Sequence, residues 1–94
     1  MSYKLLFHPK ALKEWGKLDK SVKEQLKKKL KERLQNPKIP SAKLSGFNDV
    51  YKIKLRSSGY RLVYQVKDNE LIVLVLAVNK RENNIVYELL AKRY

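Results

Sequence analysis

Basic side chains crowd one stretch of this chain at a spacing that only a β-strand converts into a cluster. Lys52, Lys54 and Arg56 alternate with Tyr51, Ile53 and Leu55, Arg61 follows a Ser-Ser-Gly turn, and Lys80 and Arg81 close a later apolar run. Period-two alternation sets the three cations on one strand face and the three apolar residues on the other. The chemistry open to such an array is in-line attack of an RNA 2′-hydroxyl on its neighbouring phosphate, because Arg and Lys stabilise the negative charge that builds there. Like charges crowded about an ammonium favour its neutral, proton-accepting form. Lys54 and Lys52 are therefore candidate proton acceptors and Arg61 a phosphate clamp. Arg81 would be a stabiliser or proton donor at the leaving oxygen, and Tyr87 a ring that stacks on a base or orients it. His and carboxylate groups, the ordinary choice for acid–base ribonucleolysis, are missing from the cluster. His8 lies at a strand-to-helix junction and suits a cap or packing role. Glu82 fits a helix entrance, where the dipole favours a carboxylate. Lysines on an edge strand also discourage aggregation, and cationic patches more often bind than cut, so the residues alone leave those readings open.

The elements that must position these groups follow from periodicity and punctuation. Tyr3, Leu5 and Phe7 alternate as a short first strand, ended by His8 and Pro9. Pro9 opens a helix with Ala11, Leu12, Trp15 and Leu18 at helical spacing and Trp15 as a core anchor. A second helix is predicted from about Asp19 to Asn36, capped by Asp19 or by the Ser21 to Glu24 spacing, with Val22, Leu26, Leu30 and Leu34 as its buried stripe. Lys23, Lys27, Lys28, Lys29, Lys31 and Arg33 cover the rest of it, as a solvated face or an RNA-facing one. A loop from Lys38 to Asn48 leads to three strands, Val50 to Arg56, Tyr60 to Lys67 and Leu71 to Asn79. Asn83 or Asn84 can cap a final helix bearing Ile85, Val86, Leu89 and Leu90. The expected fold is a small α+β domain: an antiparallel sheet of the N-terminal strand plus a three-strand meander, two N-terminal helices and a C-terminal helix.

Register decides which cations meet. A two-residue turn through Ser58-Gly59 predicts Arg56 opposite Arg61, Lys54 opposite Val63 and Lys52 opposite Gln65, with Tyr51, Ile53 and Leu55 meeting Val66, Tyr64 and Leu62. The same rule through Asp68-Asn69 sets Val73 and Val75 on the apolar face and Ile72, Leu74 and Leu76 behind it. That second face, half greasy and half basic, needs partial cover, which the C-terminal helix can give. Such cover would bring Tyr87, Lys80 and Arg81 towards Lys52, Lys54, Arg56 and Arg61. Like charges at facing positions weaken a sheet, so something anionic should sit there.

Composition narrows the partners. The 94 residues suit one domain, and 44% apolar content suffices for a modest core. Twenty-two Lys and Arg against nine Asp and Glu leave a formal +13, which points first to nucleic acid through phosphate neutralisation. Cysteine is absent and His8 is the lone histidine, so neither a disulfide, a metal site nor a cofactor is expected. Met1 to Phe7 lacks a signal-peptide apolar run and no stretch is long enough to span a bilayer, so a cytoplasmic protein without membrane contact is expected.

Longer stretches carry a family likeness. Ala11-Leu-Lys-Glu-Trp15, Val22-Lys-Glu-Gln-Leu-Lys-Lys-Lys-Leu30, the hairpin Tyr51 to Val66, and Lys80-Arg-Glu82 with Tyr87 closely resemble the RelE family of toxins over nearly the whole chain. The resemblance implies a single toxin domain over 1–94, a fold similar to the microbial ribonucleases, and cleavage of mRNA in the ribosomal A site leaving a cyclic phosphate. It assigns catalytic roles to Lys52, Lys54, Arg61, Arg81 and Tyr87. The cationic strand face, the basic side of the second helix and the loop before the strands add expected RNA or ribosome contacts at Lys43, Arg56, Lys80, Lys27, Lys28 and Lys31, and the resemblance implies the 70S ribosome with its 16S rRNA as a partner. A RelB-like antitoxin is implied too, wrapping the toxin, displacing its C-terminal helix and repressing the operon through operator DNA. One departure is Ser45, where the family carries Arg, so that an RNA contact is either missing or supplied by Lys43. A ParE-like toxin acting on DNA gyrase shares the fold, though the five catalytic positions argue against it. A non-catalytic basic ribosome-binding module stays open on composition.

Overall fold

A computed structural model describes residues 2–80 and 85–93; Arg81, Glu82, Asn83 and Asn84 lie outside the described residues, and of Tyr87 only the helical backbone is described. The order is β1 (Lys4–Phe7), α1 (Pro9–Gly16), α2 (Lys20–Gln35), a 3-10 turn at Pro40–Ala42, β2 (Val50–Leu55), β3 (Tyr60–Lys67), β4 (Ile72–Lys80) and α3 (Ile85–Arg93). The α+β architecture matches the expectation. One correction concerns β1, which pairs parallel to β4 through Lys4↔Ile72 to Phe7↔Val75 and makes the sheet mixed, in the order β1-β4-β3-β2. The strand-to-helix connections between β1 and β4 carry the chain back to the same end of the sheet, as parallel pairing requires.

Local chemistry explains the helix starts. His8 caps α1, its Nδ1 accepting from the Lys10 N–H at 3.1 Å, and Pro9 stands at the first helical position. Asp19 is the N-cap of α2 but makes no side-chain cap bond, and Ser21 lies inside the helix, so the expected capping box does not form. Val22, Leu26 and Leu30 point into the core as expected, and Leu34 packs against it partly buried. Leu12, expected with the apolar residues of α1, is instead 55% exposed.

The sheet divides two layers. On one face Tyr51, Ile53, Leu55, Leu62, Tyr64, Val66, Val73, Val75 and Val78 join Ala11 and the α2 stripe. On the other Val50, Val63, Leu76, Ala77 and the α3 residue Leu90 form a smaller cluster, with Leu44, Phe47 and Leu74 against it. Burying each large aliphatic side chain contributes roughly 1.5–3 kcal/mol, so the larger layer carries most of the stability.

Both turns differ from the predicted two-residue loops. The first hairpin closes at Leu55↔Tyr60, and the Gly59 N–H reaches the Leu55 carbonyl at 2.9 Å with Gly59 at φ +74°. A four-residue loop with a left-handed glycine meets that geometry without a Cβ penalty. The second closes at Lys67↔Ile72 around a 3-10 turn, with Leu71 left-handed at φ 54°. Each loop is two residues longer than expected, so partners shift by two while the faces survive. A β-bulge at Val63/Tyr64 adds a correction that the alternation did not predict: Tyr64 pairs with Val75 and Val63 with Ala77, so Leu76 and Ala77 both enter the second cluster.

Candidate active site and cationic face

Facing positions on β2 and β3 bring the predicted cations together, in a register other than the expected one. Lys54 pairs with Arg61 and Lys52 with Val63, whereas Arg56, expected opposite Arg61, lies in the turn. Lys54, Arg56 and Arg61 line a small cleft of about 40 Å³ with Leu55, Gly59 and Tyr60. Lys52 stands two positions along the same strand face, half-buried. Arg61 is 9% exposed, a depth that a guanidinium tolerates only with compensation. The corrected register therefore tightens the cluster: a lysine and an arginine occupy directly facing strand positions, and like charges so placed favour an anion near them.

Other predicted contacts disperse. Lys80 pairs with Tyr60, and its Nζ stands 5.8 Å from the centre of the Tyr60 ring. Tyr60 belongs to the larger apolar layer, so Lys80 sits on the face opposite Lys54 rather than beside it. Lys43 is exposed and bridges to Tyr51 at the outer edge of β2, next to Lys52. Lys27, Lys28 and Lys31 line a groove of about 390 Å³ with Leu5, Phe7, Trp15 and Leu34, on the α2 side of the sheet. With Glu24 in the same lining, they stand apart from the Lys54–Arg61 pair. The predicted residue Arg81 falls outside the described residues, and Tyr87 lies on α3, whose Leu90 is packed into the apolar cluster on the cationic face.

Sequence reasoning missed a polar tie into this site. Arg33, grouped with the solvated lysines of α2, turns inward. Its Nη1 donates to the Tyr64 hydroxyl at 2.9 Å and to the Lys52 carbonyl at 3.1 Å, and its guanidinium lies 5.9 Å from the Tyr64 ring centre. Tyr64 in turn donates to the Pro37 carbonyl at 2.7 Å and stacks on Tyr51 at 5.8 Å. Burial pushes the Tyr64 phenol above its ordinary range, and the hydrogen bond from Arg33 draws it partly back. The signal was there in the spacing: Arg33 follows Leu30 by three residues and so flanks the buried stripe. Held this way, the outer edge of β2 has its Lys52 carbonyl satisfied from α2.

A cationic cleft on a four-stranded mixed sheet with two helices on one face and one on the other defines a class. A family model described as the ParE toxin of type II toxin–antitoxin systems matches residues 5–85, and the chain belongs to this toxin family. Relatives specify the branch. The mRNA interferase toxin RelE of Escherichia coli strain K12 is 58% identical over 93 residues, covering 99% of this chain and 98% of its own. The mRNA interferase RelE of Shigella flexneri is equally similar, at 58% over 93 residues. Among solved structures, a mutant of E. coli RelE in the free state superposes with a TM-score of 0.92 at 57% identity, covering 99% of this chain and 98% of that one. The toxin of the intact E. coli RelBE toxin–antitoxin complex gives 0.85 at 58% identity, over 87% of this chain and all of its own. The family resemblance read from the sequence holds, and the identity runs to the RelE branch although the family model carries the ParE name.

Proposed function

We propose that this chain is the single-domain toxin of a type II toxin–antitoxin pair, and that it is an endoribonuclease cutting mRNA in the A site of the 70S ribosome. The observation that carries this reading is the Lys54↔Arg61 pair, with Arg56 in the same cleft and Lys52 on the same strand face. A phosphodiester seated there has its non-bridging oxygens against Arg61. Lys54, assisted by Lys52, takes the 2′-hydroxyl proton; the 2′-oxygen bonds to phosphorus, the bond to the 5′-oxygen breaks, and Arg81 stabilises or protonates that leaving oxygen. The products are a 2′,3′-cyclic phosphate and a 5′-hydroxyl. Tyr87 stacks on a base or orients it. Cations of this kind act by electrostatic stabilisation, and the ribosome supplies the in-line geometry that a shallow cleft does not.

Lys27, Lys28 and Lys31 on α2, with Lys43 and Lys80, then serve as contacts to 16S rRNA or mRNA phosphates. Their contribution falls as salt rises. A RelB-like antitoxin neutralises the basic surface, and the pair represses its own operon at operator DNA. E. coli RelE is found with RelB in solved complexes, which supports that partnership. Among the described residues no helix is long and apolar enough to cross a membrane, in keeping with a cytoplasmic site of action.

Primer extension on an mRNA incubated with and without A-site-empty ribosomes tests the reading. Cuts inside the A-site codon that need ribosomes and vanish in Arg81→Ala are expected. Ribosome binding without cleavage would instead identify a basic binding module, and gyrase inhibition without either a ParE-like toxin.

A further inference from the structure

A second charged constellation lies at the edge of β4, where β1 has stopped. β1 covers β4 only from Ile72 to Val75, so among the described residues the backbone groups of Leu76 and Val78 on that edge have no strand beside them. Two side chains from distant parts of the chain take the place of a strand. Glu14 of α1 accepts from the Val78 N–H at 3.1 Å, and Arg93 of α3 donates to the Leu76 carbonyl at 3.0 Å. The two also meet each other as a fork: Nη1 to Oε1 and Nη2 to Oε2, both at 2.9 Å. Little of either is wet, with side-chain exposures of 8% for Arg93 and 19% for Glu14. Bidentate, part-buried pairs of this kind are the strong and directional ones.

Position gives the pair its meaning. α1 belongs to the layer on one face of the sheet, and α3 to the layer on the other. The ion pair therefore passes round the sheet edge and clasps helices of opposite faces to one another and to the bulged segment of β4. α3 needs such help, since a helix of nine residues is marginal alone. Among its described side chains, Leu90 anchors it by burial and Arg93 by charge. The same helix bears Tyr87.

We infer that Glu14 and Arg93 are positioning residues for RNA cleavage, fixing α3, the helix that carries Tyr87, on the face of the sheet that also bears Lys54 and Arg61. The inference rests on the site proposed above, of which Tyr87 is a member. Neither residue touches RNA; each acts by holding the helix. A displacement of α3 by an ångström in the unclasped state lowers the rate of the chemical step and leaves the cations of β2 and α2 to bind as before.

Steady-state cleavage on programmed ribosomes, with the full chain, decides it. Arg93→Gln should lower kcat by about 10- to 100-fold with KM unchanged. Arg93→Lys, which keeps the charge and loses the fork, should recover much of that loss. Hydrogen exchange well below the melting temperature should show α3 amides accelerated in Arg93→Gln and those of β2 and β3 unaltered. An unchanged kcat in Arg93→Gln, while Tyr87→Ala is inactive, would overturn the clasp and leave the site intact. Acceleration of all amides together, with cleavage lost in step, would reduce the pair to a general stabiliser and overturn it too. Cleavage that survives Tyr87→Ala would strike the proposed site first and remove the reason for holding α3.

Discussion

Ile53 and Lys54 are neighbours in sequence and live in different worlds. Ile53 is 1% exposed in the layer sealed by α1 and α2, while Lys54 is exposed on the face that α3 only partly covers. The same holds along the partner strand, where Leu62 is in the sealed layer and Arg61 lines the cationic cleft. One face is apolar throughout its packed cluster, and the other puts charge at the rim of a small apolar centre made by Val50, Val63, Leu76, Ala77 and Leu90. A sheet with period-two side chains lets one pair of strands serve both stability and chemistry, provided that the register keeps the two sets apart. The lesson is a division of labour: mutations on the sealed face should act through folding and those on the other face through cleavage.

The largest effect should come from the sealed side. Leu26→Ala removes a fully buried side chain of α2 and should cost about 2–5 kcal/mol, read as a shift of the urea midpoint, with activity lost only in proportion to the unfolded fraction. Lys54→Ala should do the reverse, slowing cleavage by on the order of 10²- to 10³-fold at an unchanged midpoint; a large midpoint shift would break the division. Arg33 tests the border between the faces. Arg33→Met strips the Lys52 carbonyl and the Tyr64 hydroxyl of a donor, and should cost about 1–3 kcal/mol and slow cleavage as well, so that both assays move together.

Two smaller effects sharpen the picture. Replacing Lys27, Lys28 and Lys31 together by Gln should leave stability within about 0.5 kcal/mol, and should reduce the salt dependence of ribosome binding without changing the cleavage rate at saturation. At the far end of the sheet, Asp68 accepts from the Tyr3 hydroxyl at 2.7 Å and pairs with Lys38, which also lies 3.7 Å from Asp49. The Lys38 ammonium, then the Tyr3 hydroxyl, holds the Asp68 carboxyl below its ordinary 3.8. A carboxylate so held stabilises the fold above its unfolded value and loses that contribution as pH falls through the folded one. Asp68→Asn should therefore lower the melting temperature slightly at neutral pH, and the gap to the unchanged protein should close in acid.

How much of this could be read in advance follows from what each feature depends on. Strands, helices and face assignments depend on periodicity, and the residues of β2, β3 and α2 announced theirs. Cross-strand partners depend on loop length. Ser58-Gly59 and Asp68-Asn69 look like two-residue turns, but Gly59 and Leu71 take left-handed backbone at the ends of four-residue ones. An even error preserves faces, which is why the cluster was foreseen while its facing pair was misassigned. The bulge at Leu76 has no glycine or other local sign, and Val73 to Val78 is apolar whichever way it faces. Parallel pairing of β1 is tertiary information that four residues do not carry. Long-range polar ties are harder still: the spacing of Arg33 beside the buried stripe shows that it can turn inward but not that Tyr64 is its partner, and nothing near Glu14 advertises Arg93.

The clasp and the parallel strand together set a timetable. β1 waits for residues 72–75 before it has a partner, and Glu14 waits for Arg93. Contacts of such sequence separation are the last a growing chain can make, however early its helices form. A polypeptide emerging amino end first thus carries α2 long before β4 gives β1 its partner and α3 gives Glu14 its own. The cleft between β2 and β3 is drawn from residues 54–61 alone, so it can form before Arg93 reaches Glu14, and the clasp is the later of the two to close.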